Sequence, residues 1–205
     1  VFLTKLSHTK VELTYNLMRT FVAGLAFAMP FSLVYQMMSD RMKGQQKSEK
    51  VIKGLPFAAG FTAGTAVSIT GNMHYVIYAQ IIPLIEKLTG KEVSSYWFPD
   101  ATRYIGYNPY REEDRTIHEF PCYSFVLGDL HAHVVNIMFV LLVIALLYVW
   151  LRGVRKKTVP VETSMKDGKF WKEQLLMPHL LVISALLGMF QWTNFWDFVI
   201  YYVVT

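Results

Sequence analysis

Residues 134–151 read VVNIMFVLLVIALLYVWL, eighteen positions without a charged side chain. At about 1.5 Å per residue such a run is roughly 27 Å long as a helix, close to the ~30 Å hydrocarbon layer of a bilayer. The backbone finds no water to bond within that layer, so the segment must be helical. Further apolar blocks cover 20–38 and 55–85, and another begins at Leu175. Spans are therefore predicted at about 19–38, 55–71, 134–151 and 175–191, with the start of one more at 198–205. The composition agrees: 53% of residues are hydrophobic, 15% are aromatic and mean hydropathy is +0.29, above an ordinary soluble domain. The expected fold class is all-α, a multi-pass transmembrane helical bundle forming one domain over residues 1–205. The chain opens on Val1 and stops at Thr205 within an apolar run, and it reads as part of a longer protein.

The loops between these blocks set an orientation. Residues 39–53 hold five basic side chains against Asp40 and Glu49, and residues 152–174 hold seven against Glu162, Asp167 and Glu173. The long segment 86–132 holds five basic and eight acidic residues. Lys/Arg-rich loops stay cytoplasmic, so both basic loops are expected inside and 86–132 outside, as an extracytoplasmic loop region of a cell (cytoplasmic) membrane protein. The net charge of +5 sits in short loops between spans, which argues against a nucleic-acid partner; the expected partner is the lipid bilayer. Cys122 is the sole cysteine and cannot form an internal disulfide.

Two apolar blocks are interrupted. The block 55–85 has 31 residues, too long for one straight crossing, and Thr70-Gly71-Asn72 is the natural break. The remainder, from His74, is expected along the outer surface. In the last block Thr193-Asn194-Phe195-Trp196-Asp197 is polar and aromatic, and a returning span is expected from Phe198.

Chemistry is expected where ionisable groups interrupt apolar surroundings, since burying them requires a partner or a function. The densest patch is His118-Glu119 followed by Asp129-Leu130-His131-Ala132-His133, at the mouth of a membrane helix. Asp129, His131 and His133 form a candidate half-site for a divalent metal ion. Alternate residues share a face in extended chain but stand about 200° apart on a helix, so a helix entry at Ala132 leaves Asp129 and His131 free to converge. The structural alternative is that Asp129 caps the following helix. Arg103 stands among Tyr96, Trp97, Tyr104, Tyr107 and Tyr110, a mix that can hold a phosphate and stack a sugar. Asn72, His74, Asn194, Trp196 and Asp197 are further candidate binding residues at the two interruptions, and Glu119, Asp129, His131 and Asp197 are expected at one outer-face cavity.

These motifs also resemble a family. Glu119-Phe120-Pro121, Ser124-Phe125 and Gly128-Asp129-Leu130-His131-Ala132-His133 look like the signature of the YYY membrane proteins. Trp97, Ala101-Thr102-Arg103, Gly71-Asn72 and Asn194-Phe195-Trp196-Asp197-Phe198 are similar to other elements of that group, though Phe195 and Val199 depart from it. The resemblance implies a fold like that of the C-type glycosyltransferases, which use lipid-phosphate-linked sugars at an outer-face site. It implies a polyprenyl-phosphate-linked sugar as partner and transfer of that sugar as the activity. Glu119 or Asp129 would be the base, His131 and His133 metal ligands or phosphate contacts, and Arg103 the phosphate clamp. The alternatives are a metal-dependent hydrolase of a lipid headgroup, and a transporter with Asn72, His74 and Asp197 along its path.

Overall fold

The computed structural model describes residues 2–45, 48–91, 96–105, 118–155, 168 and 176–205. Tyr107 and Tyr110 of the outer loop, and nearly all of the second basic loop beyond Arg155, lie outside the described residues. The chain divides into two compact units, Val1–His131 and Ala132–Thr205.

The first unit opens with a short helix α1 (Phe2–Ser7) and the long α2 (Val11–Met42), which turns back into α3 (Glu49–Ser68). The packing of α2 on α3 follows from side-chain size. Pro56, Gly60, Gly64 and Ser68 recur every four residues and form the buried stripe of α3; Val22, Ala26 and Pro30 do the same on α2. Small residues at this spacing let two backbones approach closely. A Cβ added at Gly60 would lie 2.7 Å from the Phe31 carbonyl oxygen, and one at Gly64 2.9 Å from that of Phe27. Alongside the stripe, Phe27, Phe31, Phe57 and Phe61 meet in edge-to-face pairs 5.7 and 5.8 Å apart, the geometry the ring quadrupole favours.

The α3 helix ends at Ser68, and the chain turns through 70–73 at the predicted Thr70-Gly71-Asn72 break. It resumes as a π-helical stretch Tyr75–Ile81, continued by α4 (Ile82–Thr89). Then come α5 (Phe98–Ala101), strand β1 (Arg103–Ile105), strand β2 (His118–Glu119) and α6 (Pro121–Leu127). The antiparallel β1–β2 pair, with Arg103 opposite Glu119, departs from the all-α expectation. Two and three residues have no period to read, so the pairing leaves no pattern in the sequence.

The second unit contains α7 (Ala132–Arg155), α8 (Pro178–Thr193) and α9 (Phe195–Val204). Val143, Ile183 and Phe190 form its core, with Phe139, Leu147 and Tyr201 packed around them. The five-residue interruption expected at 193–197 contracts to Asn194, whose extended backbone (φ −153°, ψ 98°) ends α8 and starts α9. Thr193 closes α8, and Phe195 to Asp197 already form the first turn of α9.

Among the described residues, two helices are long and apolar enough to cross a membrane, Val11–Met42 and Ala132–Gly153. Only 17% and 22% of their most apolar windows are buried. Leu13, Leu17, Phe21, Tyr35 and Met37 of α2 are all exposed, a surface suited to lipid and costly in water. The predicted span at 55–71 corresponds to α3, whose glycines, threonines and charged start at Glu49, Lys50 and Lys53 lower its hydropathy. Helices α8 and α9, with 16 and 10 residues, are apolar but short.

Candidate functional site

Four of the residues singled out in the first unit, Arg103, Glu119, Asp129 and His131, form one chain of charges. Strand pairing places Arg103 beside Glu119, and Arg103 Nε donates to Glu119 Oε1 at 3.4 Å. The guanidinium also lies 5.5 Å from the Tyr123 ring centroid, a cation–π distance. The other carboxylate oxygen of Glu119 is 3.7 Å from His131 Nε2, which stands 3.1 Å from Asp129 Oδ2. The order is therefore Arg103, Glu119, His131, Asp129. Burial grades along it: the Glu119 side chain is 13% exposed and that of Asp129 57%. Glu119 is held inside the fold, and Asp129 is open to solvent.

Local sequence explains the placement. Pro121 opens α6 at a position that needs no N–H. Gly128 closes α6 in the left-handed region at φ 78°, which favours glycine. The chain then runs without helix or strand to Ala132, and Asp129 and His131 meet before α7 begins. Asp129 thus pairs with the His131 imidazole.

The turn at Gly128 is held by a part of the chain that sequence reasoning missed. Tyr15 on α2 donates its hydroxyl to the Gly128 carbonyl at 3.0 Å and accepts the Leu130 N–H at 3.0 Å. Arg19, one helical turn further along the same face, packs its guanidinium against Gly128, where any Cβ would collide with it. The faint signal in the sequence is an i, i+4 Tyr/Arg pair at the edge of an apolar block.

Asn72 and His74 serve the loop beside this cluster. The Asn72 side-chain amide donates to the Asp100 and Arg103 carbonyls, its backbone N–H donates to Ala101, and its side-chain oxygen accepts the His74 N–H. Asn72 is therefore a staple between the end of α3 and the loop that presents Arg103. The His74 ring stacks on Tyr78 at 4.1 Å and accepts the Trp97 N–H at 3.4 Å. Trp97 itself is 60% exposed. Burial pushes the Cys122 thiol above its ordinary range, as fits a packing residue.

In the second unit Asp197 belongs to a polar network. Its Oδ2 accepts from Asn136 Nδ2 and, at 3.0 Å, from Asn194 Nδ2, while Thr193 donates to Asn136 Oδ1 at 3.2 Å. Asn136 is 1% exposed, so its amide is matched to partners inside the helices. Asn194 and Asp197 thus join α7, α8 and α9, while Trp196 is exposed. His133 lies in the first turn of α7. Among the described residues no three His, Cys, Asp or Glu side chains form a group that could hold a metal ion.

One family model, described as an uncharacterized membrane protein (DUF2298), matches residues 1–205. No curated protein and no solved structure matches the chain.

Proposed function

The chain belongs to the DUF2298 family of uncharacterized membrane proteins, and from that premise we propose that it transfers sugar from a lipid-phosphate-linked donor at the extracytoplasmic face. The observation that supports this most is the graded pair of carboxylates on one imidazole nitrogen, with Asp129 exposed and Glu119 buried against Arg103. In this reading Asp129 is the base. It takes the proton from an acceptor hydroxyl, whose oxygen attacks the anomeric carbon of the donor sugar. The bond from that carbon to the phosphate oxygen breaks, and the phosphate leaves with the electron pair. His131 Nε2 orients Asp129, and Glu119 holds the same nitrogen from its buried side. Arg103 already neutralises Glu119, which favours a positioning role over the phosphate clamp first expected of it. The exposed Trp97, whose backbone N–H bonds the His74 ring, offers a face on which a sugar ring can stack.

Asp129→Asn tests the reading. Asparagine preserves shape but cannot accept the proton, so turnover of labelled polyprenyl-phosphate sugar in membranes should fall ~100-fold or more. Expression and monodispersity in detergent should not change, because Asp129 is solvent-accessible. Wild-type turnover in this variant would remove Asp129 as the base.

A further inference from the structure

We infer that Arg19 is an anion-binding residue that receives the phosphate group of a membrane lipid beside Asp129. Arg19 is half-buried on α2, and among the described residues it has no hydrogen bond, ion pair or ring partner. An arginine cannot shed its charge, and a half-buried guanidinium loses part of the water that would otherwise satisfy its donors. The other arginine of this site is matched: Arg103 has Glu119 and the Tyr123 ring. Arg19 is left with five donors and, among the described residues, no acceptor for them.

Its position fits a lipid phosphate. Arg19 stands directly before the uncharged block 20–38, at the edge of the predicted hydrocarbon span where headgroups lie. The fold also holds it in place. Tyr15, four residues earlier, ties both sides of the Gly128 turn, and Gly128 lacks the Cβ that would displace the guanidinium. The same turn leads into Asp129, the residue next in sequence. A guanidinium here presents paired N–H groups to phosphate oxygens, the geometry for which arginine is suited. The inference deepens the glycosyl-transfer reading, on which it rests for the polyprenyl chain; the phosphate contact stands on Arg19 itself.

Binding separates the two. Purified protein in detergent is titrated with a short-chain polyprenyl monophosphate, with the uncharged polyprenol of equal length, and with inorganic phosphate. Arg19→Gln should weaken monophosphate binding about tenfold or more, the scale of a lost charge-assisted hydrogen bond, and leave polyprenol binding unchanged. Asp129→Asn should bind the monophosphate as wild type does even though it no longer turns over. A loss of transfer with phosphate binding intact in Arg19→Gln would overturn the inference and leave the base assignment standing. Should Arg19→Gln fail to fold, the wild-type protein answers through phenylglyoxal modification of Arg19 followed by peptide mapping. Protection by the monophosphate alone assigns the ligand to the membrane, and protection by inorganic phosphate as well assigns it to the phosphate group whatever its source. Protection by neither overturns the inference.

Discussion

At the residue scale, the site divides into groups that the sequence announces and groups that it conceals. Glu119, Asp129 and His131 stand out because ionisable side chains beside apolar ones demand an explanation, and the structure brings all three together. Arg19 and Tyr15 do not stand out. An arginine at the edge of an apolar block looks like an ordinary snorkelling anchor, and its neighbour Gly128 is more than a hundred residues away in the chain. Asn72 was visible as a polar break, but its partners are backbone carbonyls, which no side-chain pattern encodes. Its role can be tested separately. Asn72→Ala leaves the Asp100 and Arg103 carbonyls without their donor, at a cost of about 1–3 kcal/mol. A thermal melt in detergent should show that loss, with KM and kcat affected only through misplacement of Arg103. An unchanged melting temperature with an altered KM would instead make Asn72 a substrate contact.

At the element scale, what was legible was length and interruption. Eighteen uncharged residues make a helix whatever surrounds them, and α7 begins at Ala132, where the polar patch was expected to enter a helix. The break after α3 fell where glycine and asparagine interrupt the apolar run. The interruption at Asn194 was misjudged in extent because polar and aromatic residues are also at home in a first helical turn, where Asp197 complements the helix dipole. The register of α2 against α3 needed the three-dimensional structure, since glycines spaced by four occur in many helices that do not pair. That register makes a prediction. Gly60→Ala drives a Cβ toward the Phe31 carbonyl, a backbone atom that moves only if the hairpin opens, so it should cost about 1–3 kcal/mol. Gly54→Ala meets nothing within 4 Å and should be neutral or stabilising by up to about 1 kcal/mol, from helix propensity alone. Thermal unfolding of the two variants side by side checks the register. Equal effects would mean that α3 does not press its glycines on α2.

At the scale of the whole molecule, orientation in the membrane connects the parts, and we propose it from two observations taken together, the loop charges and the length of α2. The first is charge: twelve basic residues fall in the two loops placed inside, and the acidic segment falls between them. The second comes from α2 itself. Tyr15 near its beginning holds the Gly128 turn of the charged cluster, and its other end at Met42 runs into the first basic loop. From Tyr15 to Met42 the helix rises about 40 Å, more than the hydrocarbon layer, so a crossing α2 puts the cluster and that loop on opposite faces. If the basic loop is cytoplasmic, then Arg19, Asp129 and His131 face outward, where a flipped lipid-linked sugar would present its phosphate. Single cysteines at Leu88 and Lys50, both exposed, in a background with Cys122 replaced by alanine, test this with a membrane-impermeant maleimide on intact cells. Leu88→Cys should label from outside, and Lys50→Cys should label only after the membrane is permeabilised. The reverse pattern would place the cluster in the cytoplasm and end the extracytoplasmic reading, and labelling of both from outside would mean that α2 does not cross at all.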